Sequence, residues 1–319
     1  MKKMMCMILA CMLLLGMAGC SAGVQEGQNG NTEGFSLTNS ILGEDYQFTY
    51  HAVPQRIVTL ASPATEMLLA LGLEESIVGY AMQDNEIPAQ YKAAFDSLYC
   101  ITQDWTVSRE MILALEPDFM MFWNGSGDYN YEFLTANGIS TYTMTADVNG
   151  AKIESVYADF ANMGKIFHKE ERASQIIEAM KAKIAPVALR TESLTPVTAA
   201  YVDAYSTDEA VFTAGNALVA DIFRTAGAEN VMNHTDDPWM NVSWEQMAAA
   251  DPEWIVIGVY EGVEDADYWI EFLRNHPAMK ETQAVKEGRF LVVGLADLTV
   301  GERIADTVGL LASNFHPEG

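Results

Sequence analysis

The chain has 319 residues, half of them hydrophobic, and sets 44 acids against 18 bases for a formal net charge of −26. That much apolar material can build two lobes, each with a core of its own. So negative a surface repels phosphate backbones and anionic headgroups, which excludes nucleic acid as a partner and any attachment to a membrane through surface charge.

In chain order, Lys2 and Lys3 precede an apolar run from Met4 to Met17, followed by Ala18-Gly19-Cys20. A basic start, a run short for a bilayer span and small residues near the cut make residues 1–19 a signal peptide. A cysteine directly after Ala-Gly is the bacterial lipobox pattern, so Cys20 is expected to carry lipid as the first mature residue. Residues 20–47, rich in Gly, Asn and Ser, read as a flexible tether. The expected product sits on the extracytoplasmic face of the cell membrane, lipid-anchored and not spanning it. Cys6 and Cys11 leave with the signal, so Cys100 is the one cysteine left in the body, and it reads as a small buried hydrophobe.

Residues 48–150 form the expected N-terminal α/β lobe. Pro54 to Leu60 reads as a strand, Ser62 starts a helix, Met67 to Leu71 give that helix an apolar face, and Gly72 ends it. Val107-Ser-Arg-Glu-Met-Ile-Leu-Ala-Leu-Glu-Pro-Asp118 then returns without a gap as Val242-Ser-Trp-Glu-Gln-Met-Ala-Ala-Ala-Asp-Pro-Glu253, and an apolar stretch follows each copy. Each copy predicts a helix leading into a buried strand. Ser108 and Ser243 are the N-caps, Glu110 and Glu245 lie in the first turn, and Pro117 and Pro252 close the helices. A second pair, the helix ending at Gly72 and Gly215 to Gly227, recurs at a wider offset, so the first lobe carries extra structure within Tyr80 to Thr106. Residues 151–186, with apolar positions at helical spacing, predict one helix connecting the lobes, the alternative being two helices packed on one lobe with a kink near Phe167-His168-Lys169, and 187–319 form the C-terminal α/β lobe. The fold class is α/β: two lobes, each a mostly parallel sheet flanked by helices, joined by a long connecting helix.

An enzyme needs a nucleophile, a base and oxyanion donors that converge. The single Gly-x-Ser-x-Gly match, Gly19-Cys-Ser-Ala-Gly23, lies at the expected lipidation site and not at a strand-to-helix turn; the chain has no phosphate loop or His-Glu-x-x-His helix, and its five histidines are scattered. The reading is non-catalytic, with no metal site and no cofactor.

The lipobox, the tether, Pro54-Gln-Arg-Ile-Val-Thr-Leu-Ala-Ser-Pro-Ala-Thr-Glu66, Gly227-Ala-Glu-Asn-Val231 and the two Val-Ser-x-Glu units together resemble the helical-backbone (class III) substrate-binding proteins of ABC importers. That is the family of vitamin B12-binding and iron-siderophore periplasmic binding proteins. The resemblance implies a monomer that binds a large chelate between its lobes and delivers it to an ABC permease. It also implies that Glu110 and Glu245 dock onto permease arginines. For the ligand, Trp105, Trp123, Tyr205, Phe212, Trp239 and Tyr260 fall in loops at strand ends, where open parallel sheets bind ligands. Aromatic faces suit a flat organic ring system. Trp105, Trp123, Phe212 and Trp239 match positions where the cobalamin-binding members place ring-contacting aromatics. The candidate loops are poor in bases, with Arg303 the exception, and rich in acids, which favours a neutral or cationic ligand. The first expectation is therefore a corrinoid. A ferric siderophore or haem is the alternative, and a sensory or adhesive surface lipoprotein of the same fold is a third. Against the corrinoid, the loop Tyr80 to Glu86 lacks the aromatic that cobalamin binders can present there.

Overall fold

The computed structural model describes residues 34–41, 43–104, 106–123, 129–145, 148–260 and 266–317. The signal peptide, Cys20 and Trp105 lie outside the described residues. The first described segment is a hairpin, β1 (Phe35–Ile41) and β2 (Glu44–Tyr50), paired antiparallel from Phe35 opposite Tyr50 to Ile41 opposite Glu44. This corrects the tether reading of 20–47 from Phe35 onward. The polar residues that suggested a linker alternate with Phe35, Leu37, Asn39 and Ile41, and that period of two buries one face of the pair.

The first lobe runs β3 (Ile57–Leu60), α1 (Ser62–Ala70), β4 (Ile77–Ala81), α2 (Ala89–Phe95), β5 (Cys100–Thr102), α3 (Arg109–Leu113), β6 (Phe119–Phe122), α4 (Tyr131–Ala136) and β7 (Ser140–Thr143). Its strands form one sheet in the order β5-β4-β3-β6-β7, with every pairing parallel. β3 and β6 are buried along their whole length, as continuous apolar runs in a helix-covered parallel sheet should be. Asn39 ties the hairpin to this sheet. Its side-chain amide donates to the Thr141 carbonyl at 2.8 Å, and the Thr143 N–H donates back to its Oδ1 at 3.2 Å. The extra structure expected within Tyr80 to Thr106 includes α2 and β5, and on that sheet edge Cys100 is only half-buried rather than a core hydrophobe.

The connection differs from a single helix over 151–186. α5 (Ile153–Ile166) ends, and α6 (Glu170–Thr191) begins four residues later. The stop needs neither glycine nor proline: His168 takes the left-handed conformation (φ 52°), and the Lys169 N–H closes back onto the Gly164 carbonyl at 2.7 Å. A long connecting helix is present nevertheless. The 22 residues of α6 extend about 33 Å. Near its start, Arg172 donates to the Ala70 carbonyl at the end of α1, and at its last residue the Thr191 hydroxyl donates to the Thr225 carbonyl in the second lobe.

That second lobe runs β8 (Val197–Asp203), β9 (Val211–Ala214), α7 (Leu218–Thr225), β10 (Ala228–Asn230), β11 (Trp239–Val242), α8 (Trp244–Ala249), β12 (Trp254–Val259), α9 (Ala266–Asn275), α10 (Gln283–Glu287), β13 (Phe290–Gly294) and α11 (Ile304–Phe315). Its parallel sheet has the order β10-β8-β12-β13, which matches β4-β3-β6-β7 strand for strand, while β9 and β11 form a separate antiparallel pair. The sequence repeat is therefore a repeat of topology, and its residues do the same work in both lobes. Ser108 and Ser243 accept helix-start N–H groups from Met111 at 3.3 Å and Gln246 at 3.1 Å. Glu116 and Asp251, each just before the proline, are left-handed (φ 47° and 44°) and so end their helices. The acids after each proline clamp the neighbouring strand: Asp118 accepts the Gln55 and Arg56 N–H groups, and Glu253 accepts that of Thr198.

Candidate functional site

All strands of a parallel sheet end on the same side, so the loops after β3, β4, β6, β8, β12 and β13 supply the cleft. Asp203, the last residue of β8, organises the second lobe's side of it. Its carboxylate accepts the Tyr201 hydroxyl at 2.8 Å, the Tyr260 hydroxyl at 2.9 Å and the Tyr205 N–H at 2.8 Å. The last of these is an aspartate turn that aims Tyr205 out of the strand end. The Tyr205 and Tyr260 rings meet edge to face with centroids 4.6 Å apart. Trp239 stacks on Phe212 at 5.7 Å and meets Tyr201 edge-on at 5.9 Å. β12 carries Gly258 beneath Tyr201 because a Cβ there would lie 2.1 Å from the phenol oxygen.

The first lobe answers with Asp84, in the loop after β4. The Ser62 hydroxyl donates to its carboxylate, as does the Asn85 side-chain amide at 3.1 Å, and Asp84 is 2% exposed. Its charge reaches Asp203, Tyr205 and Tyr260 across the cleft. Burial pushes the carboxyls of Asp84 and Asp203 up from the ordinary range, against the hydrogen bonds that favour their ionised forms. Burial and the neighbouring Asp203 raise the Tyr260 phenol, which therefore stays protonated as a donor.

Beside these carboxyls Arg303 and Glu66 form a second, largely buried cluster. Arg303 forks onto Glu66 of α1, with Nε 2.8 Å from Oε2 and Nη2 on Oε1, and also reaches the Glu86 carbonyl and, at 3.4 Å, Asp297. Burial dominates here and raises the Glu66 carboxyl to about 7, although Arg303 pulls it back toward ionisation. The one base expected to face the ligand is thus already engaged by two carboxylates and a carbonyl.

Among the expected ligand residues, Tyr205, Tyr260, Phe212 and Trp239 gather in the second lobe around Asp203 and Tyr201. Trp123 follows β6 in the first lobe and is half-buried against the core. Glu110 and Glu245 are both exposed, each the second residue of a short helix behind its serine cap. Hydrogen bonds from its own N–H and from Ser108 hold the Glu110 carboxyl below the ordinary range, so it is ionised at neutral pH. Sequence reasoning missed Asp84, Asp203 and Glu66. The available signals were an acid closing the apolar run Val197 to Val202 and another inside the buried helix Ser62–Ala70. A separate groove of about 820 Å³ lies among α5, α6 and α7 and shares no residue with this set. It sits on helix flanks rather than at strand ends.

The periplasmic binding protein family matches residues 57–294. A vitamin B12-binding protein of Pectobacterium carotovorum is 26% identical over 210 residues, 65% of this chain and 72% of its own. The crystal structure of a periplasmic binding protein from Veillonella parvula superposes with a TM-score of 0.81 at 25% identity, covering 89% of this chain and 98% of that one. That of an Fe3+-hydroxamate transport system from Saccharomonospora viridis gives 0.75 at 23%, covering 88% and 99%. Members of the family are extracytoplasmic proteins that bind a substrate and work with an ABC permease, and they are not enzymes. Among the described residues no helix is long and apolar enough to cross a membrane. With its family signature spanning both sheets and the cleft between them, the chain belongs to the periplasmic binding proteins of ABC transport.

Proposed function

We propose that the protein is the solute-binding lipoprotein of an ABC importer, anchored through Cys20, which captures a corrinoid between its lobes and presents it to the permease as a monomer. The observation that carries the ligand class is the pairing of aromatic faces with an already engaged base. Tyr205, Tyr260, Phe212 and Trp239 gather around Asp203 on one side and Trp123 stands on the other, with Trp105 assigned to the same role from the sequence. Arg303 is bound to Glu66 and Asp297. Such a cleft offers stacking surface to a large ring system and little to a ligand that arrives as an anion. Vitamin B12-binding proteins among the sequence relatives support the same choice. Glu110 and Glu245, at equivalent points of the two lobes, are the permease contacts in this reading.

The test is a fluorescence titration of the mature protein with cyanocobalamin, haemin and a ferric hydroxamate in parallel. Saturable quenching by cyanocobalamin alone is the expected outcome. Saturation by haemin or the hydroxamate instead would keep the transport role and replace the ligand.

A further inference from the structure

The two lobes are tied at both margins of the cleft. On the β7 side the chain itself crosses: the Gly150 N–H donates to the Asn216 carbonyl at 2.7 Å, and the Ile153 N–H to Asp221 at 2.9 Å. On the β4 side, where α6 also runs past, a second set of contacts forms. Residues 294–303, which follow β13 in the second lobe, meet Glu66 and residues 85–91 of the first. Arg303 binds Glu66 and the Glu86 carbonyl, the Ala296 N–H donates to Asn85 Oδ1 at 3.2 Å, and the Tyr91 hydroxyl donates to Glu302. The approach is close enough that a Cβ on Gly294 would lie 2.9 Å from Asn85 Oδ1. Asn85 also donates to Asp84, so the same contact reaches the cleft floor.

We propose that residues 294–303 form a clasp that fixes the separation of the lobes, with Arg303 as its positioning residue. The clasp presents the Tyr205–Tyr260 side to Trp123 at a preset distance. This deepens the ligand reading above, because a slot of preset width selects its ligand by thickness and shape. The pieces are of three kinds: an arginine–glutamate pair, a backbone donor on Asn85, and a glycine where a side chain would intrude on that same asparagine. All three act between residues 294–303 and first-lobe partners more than 200 residues away in sequence.

Hydrogen–deuterium exchange on the unliganded full chain tests the clasp separately from the identity of any ligand. Arg303→Ala is expected to raise exchange in residues 84–91 and 294–303 together by about tenfold, with β8 and β12 still protected. Arg303→Lys, which keeps the charge and loses the fork, should recover part of that protection. Asn85→Ala, which leaves the buried charges paired, should loosen the same two segments to a smaller degree. Loosening confined to 294–303 in these variants, with 84–91 as in the wild type, would overturn the proposal.

Discussion

Lysine at both Glu110 and Glu245 is expected to abolish uptake of the ligand while leaving its affinity in solution unchanged. Both carboxylates are exposed, occupy the second position of matching helices and lie outside the aromatic set. The Glu110 carboxyl is held ionised by its helix-start hydrogen bonds, so it meets a partner as a full charge. Placing a like charge against a basic docking site costs several kcal/mol at each point, and two such contacts lower docking by more than about a hundredfold. Single reversals should give intermediate uptake, since one lobe keeps its contact when the other loses it. The pair of measurements is uptake in cells that carry the variant as their sole copy, and calorimetric titration of the purified protein. A loss of ligand affinity in the double variant would place these residues in the fold or the cleft instead.

Stability should increase on acidification from pH 8 to pH 5, the reverse of the usual acid sensitivity of paired carboxylates. Glu66 holds its proton up to about 7 in the folded protein, against an ordinary value of 4.5. Between those values the folded chain keeps a proton that the unfolded chain has released, so folding weakens as the pH rises through the window. The contribution is fully present below pH 4.5 and gone above pH 7, and amounts to about 3 kcal/mol at roughly 1.4 kcal/mol per pH unit. Asp84 and Asp203 are raised as well and act with the same sign. Relief of the −26 net charge adds to the trend in any variant, so the specific test is the slope. Denaturant unfolding across this range should show a clearly flatter pH dependence for Glu66→Gln than for the wild type. Equal slopes would show that Glu66 is ionised throughout and that its pairing with Arg303 outweighs burial.

The parts of the fold that sequence revealed are those written in local pattern. The two Val-Ser-x-Glu units foretold two similar lobes because the capping residue and the helix stop lie within twelve consecutive residues, ahead of an apolar strand. The hairpin was obscured because its solvent face is Ser, Thr and Gln, the same residues that make a linker. Its buried face also depends on Asn39 finding Thr141 and Thr143, which no local signal announces. The helix break at His168 was legible only as the alternative to a single helix, for a different reason. A left-handed residue there is imposed by the packing of α5 on α6, not by an obvious stop residue. Tyr205 and Tyr260 follow strands that were legible, whereas Phe212 and Trp239, expected in loops, lie in the unforeseen pair β9 and β11. The burial of Asp84 and Asp203 and the engagement of Arg303 by Glu66 arise from long-range packing, and the sequence offered Arg303 only as a lone base near the ligand.

The most direct test of a ligand held between the lobes is calorimetric titration of cyanocobalamin into two variants, one from each lobe. Tyr205→Ala removes an exposed ring of the second lobe, and Trp123→Ala a half-buried one of the first. Each is predicted to weaken binding by about tenfold or more while the protein stays folded. Wild-type affinity in both variants would contradict an inter-lobe site and direct the search to the groove among α5, α6 and α7.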